Sequence, residues 1–234
     1  MSFTATLPTT AALRDTLAAS FSPVTRTEFS ASRTVGSAAS WAVWGDKTGD
    51  LSLFDDTDAL LPRLRKDVVV IAATFAPGGT LTNSPPFRNF HAHRSAADGR
   101  LRSGLTGSPL EGAFLTNIVK DFPTMYANGL QQDIRYGDLD VERHIVEPFF
   151  AEQRALNLGP DTLYIPVGIH ARELWDFLVE RGDLPDDQRV FHRMVAPGGP
   201  RHRGHLVREL LSFSGPVNMP EAVELLLSQR MASG

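Results

Sequence analysis

An asparagine sits inside an otherwise apolar run, Gly112-Ala-Phe-Leu-Thr-Asn-Ile-Val119. A primary amide in such a setting costs free energy unless it is hydrogen-bonded. It donates and accepts at once, which suits the edge of a nucleobase or another amide. The plainer reading is that Asn117 caps the following segment or ties down a loop. A histidine is placed similarly, His192 in Val190-Phe-His-Arg-Met194. A lone histidine on an apolar strand is more often a satisfied core group than a catalyst. Here it precedes Pro197-Gly-Gly-Pro200 and a helical pattern that begins near Arg201. A helix N-terminus behind glycines offers free N–H groups to an anion. Arg201 and Arg203 would add charge-assisted bonds to phosphate. A third feature is the end of the run Val68–Phe75, where Ala76-Pro-Gly-Gly79 follows. The glycines allow close backbone approach of a ligand, and Pro77 stiffens the turn. An ordinary tight turn would look the same. After it comes a polar loop bearing Asn83, Phe87, Asn89, Phe90, His91 and His93. Its phenylalanines could stack on a flat ring or close the lid of a core.

Other chemistries are absent or weak. There is no Gly-Lys-Ser/Thr phosphate loop, no G-x-G-x-x-G fingerprint, no G-x-S-x-G elbow and no HExxH. With no cysteine in the chain, disulfides, thiol nucleophiles, zinc–thiolate sites and cysteine-held iron–sulfur clusters are ruled out. His91-x-His93 and His202-x-x-His205 could supply imidazoles to a metal, but no carboxylate stands at a matching spacing. The expectation is therefore no metal and no cofactor. Asp138 with Asp140, and Asp186 with Asp187, lie in polar stretches that read as solvated turns.

The elements that must position these residues follow from hydrophobic periodicity. The 234 residues suit one domain over 1–234, with residues 1–60 covering its core. Leu13, Leu17 and Phe21 define an amphipathic helix over Thr9–Phe21. Phe29–Ser40 is rich in Ser, Thr and Ala and reads as loop. Trp41–Trp44 and Leu51–Phe54 flank a Gly- and Asp-containing turn and suggest a hairpin. Val68–Phe75 is apolar on both faces, as a central parallel strand must be. Gly112–Val119, Thr162–Gly168 and Arg189–Met194 resemble it. Helical patterns lie between or after them, at Val141–Leu156, Ala171–Val179, His202–Ser212 and Pro220–Met231. This alternation predicts an α/β fold, a three-layer α/β/α sandwich around a mainly parallel four-stranded sheet. Ligands in such sheets sit at the carboxyl ends of the strands. Asn117 and Pro77-Gly78 fall at such ends, and His192 lies on the fourth of these runs just before a glycine loop.

Charge narrows the partners. Lys and Arg number 23 and Asp and Glu 27, a net charge of −4, which disfavours a generally basic nucleic-acid binder. Between Gln188 and Arg208, however, there are five arginines, three histidines and no acid. That strip is compatible with docking one phosphate backbone, or with a solvated helix face. No apolar run approaches the ~18 residues that cross a bilayer, and residues 1–20 have no apolar signal core. The expectation is a cytoplasmic protein without membrane contact.

The order of these features resembles the uracil-DNA glycosylase superfamily. It comprises a strand ending in a Pro-Gly turn, a Phe-bearing loop, a strand ending in Thr-Asn-x-Val-Lys, a strand–helix unit, and a strand with His before a loop and helix. The resemblance covers about Asp67–Leu211, and its most specific piece is Gly112–Lys120. It implies that Asn117 hydrogen-bonds a flipped base and separates uracil from cytosine. It implies that Phe87 or Phe90 stacks on that base beside Pro77 and Gly78, and that His192 stabilises negative charge on the leaving base. Met194 and Val195 fall where the family inserts a wedge into the duplex. Gly198, Gly199, Arg193, Arg201 and Arg203 would contact DNA.

The resemblance also has departures. Ala76 stands where the family usually carries an Asp or Asn that positions the attacking water, and the family's His-Pro-Ser is here His192-Arg193-Met194. Thr74 and Asn83 are the substitutes the sequence offers. The missing cysteines point to a cluster-free branch. The implied activity is excision of uracil or another deaminated base from damaged or single-stranded DNA by a monomer, without cofactor. Two alternatives stand beside it. One is a catalytically weak base-binding or DNA-binding protein of the same fold, which Ala76 favours. The other is an unrelated α/β hydrolase or nucleotide-processing enzyme using the His-rich loops, with or without a metal.

Overall fold

The computed structural model describes residues 21–35, 37–47, 49–74, 85–92, 96–107, 110–122 and 127–190. Four strands form one sheet: β1 (Ser40–Trp41), β2 (Arg65–Ala72), β3 (Ala113–Asn117) and β4 (Leu163–Pro166). Their order is β1-β3-β2-β4. β2 runs parallel to both β3 and β4, whereas β1 pairs antiparallel with β3 through Ser40–Leu115 and Trp41–Phe114. The sheet is thus mixed, which corrects the expectation of a mainly parallel one. The reason lies at its two edges. Two residues of β1 are too few to show a strand period, yet they occupy one edge. The expected strand Arg189–Met194 contributes, within the described residues, a single parallel bridge from Val190 to Tyr164.

Alternation along the strands sends side chains to two apolar clusters. Val68, Val70, Leu115 and Ile165 pack with Trp44 and with Leu101 and Leu105 of a helix, α3 (Ala96–Leu105). Val69, Ile71, Phe114 and Tyr164 belong to the other cluster. This second cluster includes residues of α1 (Arg26–Thr34), α2 (Thr57–Leu60), α4 (Leu130–Tyr136), α5 (Glu147–Leu156) and α6 (Ile169–Arg181). α6 buries Ala171, Leu174, Trp175 and Leu178, spaced for one helix face, and stops at Gly182 with φ 79°. No helix among the described residues is long and apolar enough to cross a membrane.

Three expectations from the N-terminal half and one from the centre change. Phe29–Ser40 is not all loop, because α1 covers its first part. Thr25 Oγ1 accepts from the Glu28 N–H, the Glu28 carboxylate accepts from the Thr25 N–H, and this capping box nucleates the helix. Trp41–Trp44 and Leu51–Phe54 do not form a hairpin, since Trp41 pairs with β3 and Ser52–Asp55 is a 3-10 turn. Asp50 drives that turn by accepting from both the N–H and the hydroxyl of Ser52. α3 replaces a segment for which no element was expected. Finally, the helical pattern over Val141–Leu156 divides into a π-turn, Glu142–Val146, and α5. Pro148 has no N–H for the His144 carbonyl four residues back, so that carbonyl bonds elsewhere. The expected helices at Thr9–Phe21, His202–Ser212 and Pro220–Met231 lie outside the described residues, apart from Phe21.

Gly112 shows how closely the sheet is packed where β3 begins. Its φ is +81°, and a Cβ there would lie 1.8 Å from the Arg63 carbonyl oxygen. Its own carbonyl accepts from the Arg65 N–H at 2.9 Å.

Candidate functional site at the carboxyl end of the third strand

Asn117 is the last residue of β3 and lies level with Ala72 at the end of β2. Strand alternation sends Thr116 and Asn117 to opposite faces. The Asn117 side chain is fully buried. Its Nδ2 donates to the Ala38 carbonyl at 3.2 Å, while its Oδ1 has no hydrogen-bond partner among the described residues. A buried acceptor left open costs about 1–3 kcal/mol. Thr74, two residues beyond β2, likewise has a buried Oγ1 without a partner among the described residues.

The loop 85–92 lies beside this strand end. Asn89 Nδ2 donates to the same Ala38 carbonyl, at 2.7 Å. Ser40 Oγ donates to the Phe87 carbonyl and Trp44 Nε1 to the Phe90 carbonyl. Two turns follow one another, closed by Arg88 N–H to Pro85 O and by His91 N–H to Arg88 O. Each places a phenylalanine third, Phe87 and Phe90, and each of these has φ 65°. That position ordinarily takes glycine, so both residues are strained. Their environments differ. Phe87 is buried, its ring stacked on Phe29 at 5.5 Å and against Phe54 at 4.8 Å. Phe90 is partly exposed and packs at the rim of the α3-side cluster.

His91 is buried between Trp44 and Phe54, with ring centroids 5.3 and 5.4 Å away. Neither ring nitrogen has a hydrogen-bond partner among the described residues. Burial pushes its pKa down to about 4, the charge of Arg88 reinforces that shift, and the Trp41 main chain opposes it without reaching hydrogen-bond geometry. The imidazole is therefore neutral at pH 7. Among the described residues no group of three or more His, Asp or Glu side chains could hold a metal.

On the opposite face, a buried charged cluster grips the same strand end. Thr116 Oγ1 donates to Glu152 Oε1 at 2.7 Å. Lys120 Nζ lies 3.1 Å from Glu152 Oε2 and donates to the Asn117 main-chain carbonyl at 2.7 Å. The Lys120 N–H donates to the His144 carbonyl that Pro148 leaves open, at 2.9 Å. The Lys120 carbonyl is 2.9 Å from His144 Nδ1, which requires the Nδ1–H tautomer. Burial is the largest influence on Glu152 and pushes its carboxyl above the ordinary range, while Lys120 and Thr116 pull it back.

Of the candidate residues, the structure brings Asn117 and the Phe87–Phe90 loop to one strand end, and adds Thr74 beyond the neighbouring strand. Pro77, Gly78, His192, Arg193, Met194, Gly198, Gly199, Arg201 and Arg203 lie outside the described residues, as do Ala76, Asn83 and Val195. Glu152 was not singled out from the sequence, although a signal existed: it stands three residues after Phe149 and four before Leu156, on the buried face of α5. The Ala38 carbonyl carries no sequence signal, because any residue would present it. No family model, no curated protein and no solved structure matches this chain.

Proposed function

We propose that this chain recognises a nucleobase at the carboxyl end of β3 and excises uracil or another deaminated base from DNA. In this reading it is a divergent, cluster-free relative of the uracil-DNA glycosylases, with a three-layer α/β/α arrangement. One observation carries it: a fully buried Asn117 whose Nδ2 is held by Ala38 and whose Oδ1 is left without a donor among the described residues. A base bearing an imide N–H supplies that missing donor. Phe87 is enclosed by other rings, so stacking on the base falls to the more exposed Phe90. The strained turns of that loop support the assignment, since strain of this kind gathers at ligand clamps.

The target bond is unreachable inside a duplex, so the nucleotide must be extruded first. The C1′–N bond breaks and the base departs with the bonding pair, water adds its oxygen to the sugar C1′ and gives up one proton to solvent, and the released base anion takes one proton back from solvent. His192 stabilises the resulting negative charge. Ala76 cannot orient the water, and the unpartnered Thr74 hydroxyl takes that task. The alanine also favours a second reading, a protein that binds the base and hydrolyses poorly.

The experiment is an excision assay on single- and double-stranded oligonucleotides carrying one uracil, hypoxanthine or xanthine, with abasic sites scored by alkaline cleavage. Excision that vanishes in Asn117→Ala and falls in Thr74→Val supports the glycosylase reading. An inactive wild type whose activity appears in Ala76→Asn supports the binding reading. No excision by any of these proteins, and no uracil-dependent DNA affinity in the wild type, overturns both.

A further inference from the structure

Lys120 and Glu152 form a buried ion pair, with side chains 8% and 5% exposed. Stability alone is a poor reason for such a pair. Removing two charges from water costs several kcal/mol per ion, and apolar residues of similar volume usually serve as well or better. What the pair does locally is more specific. The ammonium spans two targets, the Glu152 carboxylate and the Asn117 main-chain carbonyl. Thr116, the residue before Asn117, bonds the same carboxylate. Asn117, through its main-chain carbonyl, and Thr116, through its side chain, are thereby both tied to α5. The Lys120 main chain is itself fixed by two bonds to His144, one of which depends on the gap left by Pro148. Among the described residues Asn117 has only one side-chain bond of its own, the 3.2 Å contact to Ala38. Its amide orientation is therefore set chiefly through the backbone on which it stands.

We infer that Lys120, held by Glu152, is a positioning residue that fixes the Asn117 amide for ligand recognition from the opposite face of the sheet. The inference rests on the base-recognition reading above. Asn117 acts on the ligand, and Lys120 acts only through Asn117. A group shifted by about 1 Å can lose ~100-fold in rate, so a modest rotation of this peptide would be felt in the chemistry.

The test uses the full chain labelled with 15N. The Asn117 side-chain NH2 signals are assigned by their loss in Asn117→Ala. They are then recorded in Lys120→Met, and in Lys120→Met/Glu152→Gln, which avoids leaving a lone buried charge if the single variant folds poorly. Leu178→Ala, a cavity variant in α6, an element that carries none of Asn117, Lys120 and Glu152, is the control for general destabilisation. Uracil excision from a single-stranded oligonucleotide is measured on each protein. The expected result is that the Asn117 signals move in both Lys120 variants and not in the control, with excision lowered ~10–100-fold. Unmoved Asn117 signals in a folded Lys120 variant overturn the inference. Moved signals with no excision by any protein, wild type included, uphold the positioning role and overturn the excision reading instead.

Discussion

His91→Phe should flatten the acid side of the stability curve. His91 is buried against Trp44 and Phe54, and its pKa falls from 6.5 to about 4. The folded protein therefore holds the neutral ring, while the unfolded chain binds a proton near pH 6.5. Stability from this group is complete above 6.5, declines as the pH falls, and is lost below about 4. The gap between the two pKa values corresponds to about 3 kcal/mol, a large share of the ~5–15 kcal/mol that holds a domain together. Phenylalanine preserves the ring packing and has no nitrogen to protonate. It also removes two buried nitrogens that have no partner, so at pH 7 the variant should equal or exceed the wild type. The assay is urea unfolding from pH 7.5 to 3.5, followed by fluorescence of the buried Trp41, Trp44 and Trp175. Carboxylates titrate in both proteins and cancel in the difference. The free-energy difference should grow by about 3 kcal/mol toward pH 4. Parallel curves for the two proteins would refute the reasoning, because they would mean that the imidazole is solvated or hydrogen-bonded.

Gly112→Ala should cost more than ~3 kcal/mol or prevent folding, since its Cβ would occupy the Arg63 carbonyl and its φ is +81°. A thermal melt by circular dichroism checks this, and a melting temperature within two or three degrees of wild type, which corresponds to roughly 1 kcal/mol or less, contradicts it. Glu152→Ala leaves the Lys120 ammonium buried without its counter-charge and should cost ~3–5 kcal/mol. Adding Lys120→Met should recover much of that loss, and urea midpoints of the single and double variants measure the recovery.

The parts of the fold legible from residue pattern are those whose burial is complete. β2, β3 and β4 read as apolar runs because both faces are covered. α6 reads as a helix because Leu174, Trp175 and Leu178 share one face. β1 was not legible as an edge strand, since two residues have no period and its partner β3 lies far along the chain. α1 was hidden by a Ser/Thr/Ala-rich composition that resembles loop, although Thr25 and Glu28 carry the capping-box spacing. Asn117 stood out because an amide interrupts an apolar strand. Its side-chain contact did not, because the Ala38 carbonyl belongs to the backbone. Glu152 was readable only in hindsight of its helix face, where a carboxylate takes a place suited to leucine.

The antiparallel edge strand has a consequence for how the chain reaches this fold. A protein emerging from the ribosome makes Ala39, Trp41, Ala42 and Val43, all buried in the native state, long before it makes Phe114 and Leu115. Among the described residues no local hairpin shelters them, because Ser52–Asp55 turns into a short helix instead of a partner strand. Such non-local pairing is slow to close and leaves apolar segments exposed in the meantime. Protection of the Ala42 amide, which donates to Ala113, should accordingly be acquired late in refolding, together with β3 rather than with α1.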